Sequence, residues 1–361
     1  MKKVLITGAT GFVGSHLTEL CVEKGFEVVA FDRYNPNYNL GWLEKSKYKD
    51  DINFVFGDIR DYDSVLKTMK GCKIVFHLAA LIGIPYSYLS PQAYLKTNVE
   101  GTYNILESSK HLDIEQTIIT STSEVYGTAK YIPIDEKHPI SAQSPYSASK
   151  ISADQLAISY YNSFQLPIKI IRPFNIYGPR QSSRAVIPSI IIQALKPTEE
   201  INLGNVSPSR DFTYVSDICN AFLELIKIER FFGETINVGS NNEFTIENIV
   251  KKILFKLNLK AKIKREEART RSPKSEVTRL VCDNTKILKN TTWKPEITIE
   301  QGIDPRELKL LTFGGAGPLM SNLIAKELDI KEIIVPPYSG NFSAWGLLGA
   351  DLLQMNAKTK I

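Results

Sequence analysis

Only four cysteines occur in 361 residues, and Cys21, Cys72, Cys219 and Cys282 are too scattered for a redox pair or a metal knuckle. That excludes a disulfide-stapled or zinc-knuckle architecture and points to reduced, buried thiols of a cytoplasmic protein. Long apolar runs are missing too, so no segment is expected to span a bilayer. The apolar stretch after Met1-Lys2-Lys3 is brief and breaks into a glycine turn, and no export signal is read from it. An excess of one charge is also lacking: 44 Lys and Arg against 39 Asp and Glu leave a net +5. Residues 251–274 are locally cationic, with Glu266 and Glu267 their only acids. Without interleaved aromatics that run reads as a solvated helix face and loop, and nucleic acid is not an expected partner. Repeats and low-complexity segments are absent. What remains is an ordinary globular chain, 43% hydrophobic and 23% charged, long enough for two domains or one large one.

The first fourteen residues carry a phosphate-binding pattern. Val4-Leu5-Ile6 is a short β-rich run, followed by Thr7-Gly8-Ala9-Thr10-Gly11-Phe12-Val13-Gly14 and a helical pattern through Leu17, Leu20 and Cys21. In a strand, glycine turn and helix of this kind, backbone N–H groups meet a pyrophosphate that side chains at the glycines would block. The spacing is G-x-x-G-x-x-G rather than G-x-G-x-x-G. A second strand, Glu27-Val28-Val29-Ala30-Phe31, ends at Asp32, whose carboxylate suits the ribose hydroxyls of NAD and repels the 2′-phosphate of NADP. Arg33 follows it, so NADP is disfavoured rather than excluded.

Two stretches further on carry chemistry. Ser121-Thr122-Ser123-Glu124-Val125-Tyr126-Gly127 offers hydroxyls and a carboxylate, and Tyr146-Ser147-Ala148-Ser149-Lys150 offers a phenol and an ammonium. On a helix Tyr146 and Lys150 share one face, so the ammonium is expected beside the phenol, favouring a phenolate that serves as a base. Between and after these stretches, strands at 53–56, 73–77, 117–119 and 168–171 alternate with helices near 61–69, 91–110 and 145–164. Such alternation predicts a Rossmann-type α/β fold, a doubly wound parallel sheet. Beyond residue 178 the pattern loosens into short strands at 201–203 and 212–215 and helices near 216–228 and 245–257, a smaller α/β substrate lobe. The expected organisation is therefore 1–178 for the NAD-binding part with the catalytic residues, 179–303 for an interleaved substrate lobe, and 304–361 as an atypical extension.

Over residues 1–303 the chain resembles the extended short-chain dehydrogenase/reductases, the NAD-dependent nucleotide-sugar epimerases and dehydratases. The glycine motif, Asp32, Asp58, Leu78-Ala79-Ala80, Asn98, Tyr146 with Lys150, and Arg172-Pro173-Phe174-Asn175-Ile176-Tyr177-Gly178-Pro179 carry the likeness. Within it, Leu81 to Tyr88, Ser121 to Gly127, Gln143 to Lys150, and Gly178 to Ser182 with Arg184 to Pro188 look most like the UDP-N-acetylglucosamine 4,6-dehydratases of the legionaminic acid pathway. The Thr-Ser-Glu order is also similar to that of GDP-mannose 4,6-dehydratases. The resemblance implies bound NAD held by Gly8, Gly11, Phe12, Val13, Gly14, Asp32, Asp58, Ile59, Leu78, Ala79, Ala80, Asn98, Tyr146, Lys150 and Pro173. It implies a nucleotide-diphosphate sugar held by Tyr86, Asn175, Arg184, Arg210 and Arg271, although Ser272 stands where the family usually has proline after that arginine. Thr122, Ser123, Glu124, Tyr146 and Lys150 become the catalytic set, with Glu124 as the base at carbon 5. Many sugar dehydratases carry Asp where Ser123 stands, which leaves Glu124 to act also as the acid. Alternatives from the same residues are a 4-epimerase and a non-catalytic NAD-binding regulator. The helices at 91–110 and 145–164 have apolar positions on more than one face, and in the resembled family their counterparts build a dimeric four-helix bundle, so a homodimer is expected.

Residues 304–361 resemble a fragment of the hydantoinase A/oxoprolinase family, through Leu310-Leu311-Thr312-Phe313-Gly314-Gly315-Ala316-Gly317-Pro318-Leu319 and Ile333 to Asp351. Gly314 to Gly317 has the look of a phosphate loop, but most of that larger fold has no counterpart in this chain. The tail reads as a fusion or an assembly artefact rather than an independent nucleotide site.

Overall fold

The computed structural model describes residues 2–195, 200–266, 275–303, 309–311 and 332–334. The strands in chain order are β1 (Lys3–Thr7), β2 (Glu27–Arg33), β3 (Ile52–Gly57), β4 (Ile74–His77), β5 (Gln116–Thr120), β6 (Ile168–Pro173), β7 (Asn175–Tyr177), β8 (Glu200–Leu203), β9 (Ser209–Tyr214), β10 (Thr235–Val238), β11 (Glu243–Thr245), β12 (Lys262–Arg265), β13 (Arg279–Leu280), β14 (Lys309–Leu311) and β15 (Glu332–Ile334). The helices are α1 (Phe12–Glu23), α2 (Tyr62–Met69), α3 (Ile84–Leu89), α4 (Pro91–Tyr94), α5 (Gly101–His111), α6 (Pro145–Phe164), α7 (Val186–Ala194), α8 (Val215–Ile226), α9 (Ile246–Lys256), α10 (Thr285–Asn290) and α11 (Ile299–Gly302).

Seven strands form one sheet in the order β3-β2-β1-β4-β5-β6-β10, with every pairing parallel. The expected Rossmann-type sheet is present. Alternation along β1 divides the core: Val4 and Ile6 pack with Leu17 and Cys21 of α1 and Phe222 of α8, while Leu5 packs on the other face with Val65, Ile105 and Ala157. Burial on both faces explains why these strands read as unbroken apolar runs. All six residues of β6 are buried, Lys169 and Arg172 included. Lys169 keeps its charge satisfied by donating to Gln116 Oε1 at 3.0 Å and to the Leu225 and Ile228 carbonyls, the end of α8.

The chain beyond β6 serves both parts. β7, β9, β11 and β13 form a small sheet, β8 pairs with β12, and the chain returns to the large sheet at β10. Elements not anticipated include β10 of the large sheet and α10. Val186–Ala194 is also helical, and Leu95–Glu100 is a π-helical segment joining α4 to α5. The four cysteines are buried and free, as expected. Among the described residues no helix is long and apolar enough to cross a membrane. Most of 304–361 lies outside the described residues, which there show only β14 and β15 as a parallel pair.

Candidate active site

Strand order reverses between β1 and β4, and the crevice beyond the C-terminal ends of such strands is where an open α/β sheet binds ligands. A cleft of about 1180 Å³ opens there, at or above the usual range of about 300–1,000 Å³ for a single small ligand.

Gly8 has φ +69°, and a Cβ on it would lie 3.0 Å from the backbone of Ala79. A Cβ on Gly14 would lie 2.0 Å from the Gly8 carbonyl oxygen. The turn's own packing therefore requires these two glycines, and both line the cleft. Gly11 differs: a Cβ there meets only the Gly8 oxygen, at 3.3 Å. It caps α1 without a side-chain hydrogen bond, so the N–H groups at the start of that twelve-residue helix face the cleft with Phe12 and Val13. An uncapped helix N-terminus at an open glycine fits a pyrophosphate.

Asp32 stands at the rim, fixed by Thr10, whose N–H and hydroxyl both donate to Oδ2 at 2.8 and 2.6 Å; the Arg33 N–H donates to Oδ1 at 2.7 Å. Asp58 lines the same end with Ile59, and its hydrogen bonds from Arg60 hold its carboxyl below the usual carboxylate range. Leu78, Ala79 and Ala80 form the wall, with the first two N–H groups donating to Thr7 Oγ1 at 3.1 Å. Pro173 lies opposite.

Asn98, expected to touch the dinucleotide, is buried in the π-helical segment beside Leu81 of the cleft wall. Its carboxamide accepts the Leu81 N–H at 2.8 Å and donates to the Leu81 carbonyl at 2.9 Å and to Ser149 Oγ at 3.0 Å. It positions the wall against α6.

At the reacting end, Thr122, Ser123 and Glu124 follow β5 on a tight turn in which Thr122 Oγ1 accepts the Glu124 N–H at 3.2 Å. All three line the cleft with Tyr146. Helix α6 presents Tyr146 because Pro145 starts it and Ser144 caps it, Oγ accepting the Ser147 N–H at 3.1 Å. The Ser147 hydroxyl then donates to the Glu124 carbonyl at 2.7 Å, tying the helix to the turn.

Burial pushes the Tyr146 phenol above its ordinary range, a hydrogen bond with Thr122 works against this, and the nearby Glu124 charge adds to the rise. Lys150 lies below the cleft surface, where its ammonium donates to the Thr120 carbonyl at 2.5 Å. Burial lowers it to about 8, with Asp154 opposing. His77, bonded to Thr7 at 2.8 Å and Thr102 at 3.2 Å, is pushed down to about 3 by burial and then by the Lys150 charge.

The residues expected to hold a sugar nucleotide are brought to the other end. Tyr86 is exposed on α3, its ring 6.1 Å from that of Tyr94, which lies 6.2 Å from Tyr146. Asn175 opens β7, Arg184 is exposed ahead of α7, and Arg210 on β9 is buried, donating to the Ser209 carbonyl at 2.9 Å. All four line the cleft. Glu276, which was not anticipated, lines it too, 3.7 Å from the Arg210 guanidinium. Sixty-six positions separate those two in the chain, so only the fold pairs them. Arg271 lies outside the described residues.

Fold and cleft together define a doubly wound dinucleotide-binding protein with a Tyr/Lys pair and a carboxylate at its reacting end. The family described as GDP-mannose 4,6 dehydratase matches residues 5–305, and the chain belongs to it, an enzyme of the nucleotide-sugar 4,6-dehydratase and 4-epimerase kind. A human dTDP-D-glucose 4,6-dehydratase is 30% identical over 257 residues, covering 70% of this chain and 73% of the relative. The crystal structure of a Bacillus anthracis dTDP-glucose 4,6-dehydratase in complex with NAD superposes with a TM-score of 0.75 at 29% identity, covering 84% of this chain and 94% of that one. A Bacillus cereus UDP-glucuronic acid 4-epimerase in complex with UDP-glucuronic acid and NAD gives 0.76 at 28% identity, covering 83% and 96%.

Proposed function

We propose that the chain is an NAD-dependent nucleotide-sugar 4,6-dehydratase, acting on UDP-N-acetylglucosamine and working as a homodimer in the cytoplasm. The observation that carries this reading is Glu124, which shares one cleft wall with Thr122 and Tyr146 and lies near enough to act on the phenol electrostatically. A 4-epimerase has no use for a carboxylate at that place, whereas elimination across carbons 5 and 6 needs a base for the carbon 5 proton. Bound NAD, held at Gly11, Phe12, Val13, Asp32 and Asp58, supplies hydride acceptance from carbon 4 and its return to carbon 6.

The chain's own residues do the rest. Tyr146 takes the proton of the 4-hydroxyl, with Thr122 bonded to the same oxygen. To take that proton Tyr146 must first give up its own, and the Lys150 charge stabilises the phenolate from which the step starts. Glu124 then removes the carbon 5 proton, acidic beside a 4-ketone, and passes it to the departing 6-hydroxyl, a role that Ser123 lacks the acidity to fill; carbon 5 regains a proton from solvent as hydride returns to carbon 6, and Tyr146 gives up its proton to solvent. Arg184 and Arg210 face the diphosphate through charge-assisted hydrogen bonds, Asn175 and Tyr86 take the sugar end, and Arg271 is a further diphosphate contact. Exposed Leu95, Tyr103 and Phe164, on the π-helical segment, α5 and α6, supply apolar area for the dimer. The division at residues 178 and 303 and the dispensable 304–361 extension belong to the same reading.

A second reading, 4-epimerisation, is favoured by Ser123 and by the likeness to the epimerase structure. Incubation with UDP-N-acetylglucosamine in deuterium oxide separates the two. Dehydration gives a product lighter by one water with solvent deuterium at carbon 5. A carbon 4 epimer of unchanged formula without that deuterium establishes the second reading instead.

A further inference from the structure

Lys150 sits in a pocket that works against its charge. It is almost wholly buried, and the acceptor closest to hand is a neutral carbonyl, that of Thr120. One helical turn further along the same face of α6 stands Asp154, with no exposed surface. Its Oδ2 accepts the Ser121 hydroxyl at 2.8 Å and the Arg172 Nε and Nη2 groups at 3.1 and 2.9 Å, while its Oδ1 is buried and has no hydrogen-bond partner among the described residues. Arg172 is in turn anchored by donating to the Tyr126 hydroxyl at 3.0 Å, which donates to Asn237 Oδ1 at 2.7 Å. A carboxylate fixed on one oxygen and left without a partner on the other thus lies one turn from Lys150 on the same helix.

We infer that Asp154, held by Arg172 and Ser121, is a positioning residue that sets the charge on Lys150. The groups around Lys150 leave this work to it. On α6 itself Tyr146 is a neutral phenol at rest; on β5 Thr120 and Ser121 carry no charge; on β4 His77 is neutral; and on β6 Arg172 repels an ammonium. Asp154 is the one anion among them, and its attraction opposes the burial that lowers Lys150. Burial also pushes the Asp154 carboxyl up, and the Arg172 charge with the Ser121 hydrogen bond works against this. Guanidinium stays charged in any protein environment, so the buried pair holds one cation and one anion. Asp154 and Arg172 thus lie behind the cleft, joined to it by Ser121 on its wall, and act through Lys150.

The inference rests on the reading of Tyr146 and Lys150 as the reacting pair only for its consequence in turnover, so its test reads Lys150 directly. In full-length protein carrying 13C-labelled lysine, the Lys150 signal is assigned by its loss in Lys150→Met and followed against pH. In Asp154→Asn its titration is expected to move down by about one pH unit or more, the usual effect of losing a nearby opposite charge. Asp154→Glu, which restores the carboxylate, is expected to bring it back. An unmoved Lys150 titration in a folded Asp154→Asn protein overturns the inference. Should that variant not fold because Arg172 is left unpaired, Asp154→Asn is made on Arg172→Gln and read against Arg172→Gln alone, so that the lost Arg172 repulsion is common to both; a downward shift supports the inference and an unmoved titration overturns it. The alkaline limit of kcat/KM should follow the Lys150 titration. A titration that moves while the limit stays upholds Asp154 and counts against the Tyr146/Lys150 reading of the reaction.

Discussion

The Asn98 side chain binds both backbone groups of Leu81, accepting its N–H at 2.8 Å and donating to its carbonyl at 2.9 Å. A side chain doing the work of a neighbouring strand is economical only if the segment it holds must stay in place, and Leu81 continues the wall of the cleft. Asn98→Ala leaves those groups and Ser149 short of partners at a cost of about 1–3 kcal/mol each where water cannot reach. Urea unfolding should show that loss, and isothermal titration should show weaker NAD binding, although Asn98 does not line the cofactor end. Unchanged affinity in the destabilised variant would confine Asn98 to a purely structural role.

Thr10 donates twice to one oxygen of Asp32, so the carboxylate cannot swing aside for a 2′-phosphate. Thr10→Val keeps the shape and deletes the hydroxyl donor to a charged acceptor, worth about 1.5–3 kcal/mol. The expected outcome is roughly tenfold weaker NAD binding and a narrower preference for NAD over NADP, both read by titrating cofactor-stripped protein. A preference as wide as in the parent would show that the Asp32 charge alone decides, wherever it points.

His77 gives the fold an acid-side liability. Its folded value is about 3, pushed there by burial and the Lys150 charge, against about 6.5 in the unfolded chain. Below pH 6.5 the unfolded chain takes up a proton that the folded one refuses. Stability present above that pH is therefore lost as pH falls toward 3, at up to about 1.4 kcal/mol per unit from this group. His77→Gln removes the titration, so its stability should fall less steeply between pH 7 and 5 than that of the parent. Parallel curves would mean that His77 does not stay neutral in the folded protein.

Much of this architecture is legible in the residues and some is not, for identifiable reasons. The strands of the large sheet from β1 to β6 are apolar on both faces, so continuous runs betray them. The glycine turn, Asp32, the Thr122–Glu124 turn and the Tyr146/Lys150 spacing are local, and local patterns survive without a structure. Helix α7 escapes because Val186, Ile187, Ile190, Ile191 and Ile192 are β-branched and Pro188 interrupts them; packing on α9 and β8 overrides propensity there. The π-helical turn holding Asn98 has no composition of its own, so its clamp on Leu81 was not legible in the sequence. Glu276 meets Arg210, and Arg172 meets Asp154, only through the fold. Helical spacing places Lys150 on the same face as Tyr146 but says nothing of the burial that pushes the phenol above its ordinary range.

The family match ends at residue 305, and every residue placed in the cleft precedes 303. A chain ending at Ile303 should therefore keep its turnover and NAD content, with limited proteolysis of the full chain cutting first between 303 and 310. Loss of activity on truncation, with a full-length chain that resists protease, would show that the extension is part of the working fold.

Glu124 is the residue on which dehydration stands, and its removal can be read within a single turnover. With Glu124→Gln, adding UDP-N-acetylglucosamine should let Tyr146 and NAD complete the first oxidation. NADH absorbance should then appear on the enzyme and persist, while loss of water slows by at least about a hundredfold, the lower range for acid–base catalysis. Release of the 4-keto-6-deoxy product by Glu124→Gln at the parent rate would contradict Glu124 as the base.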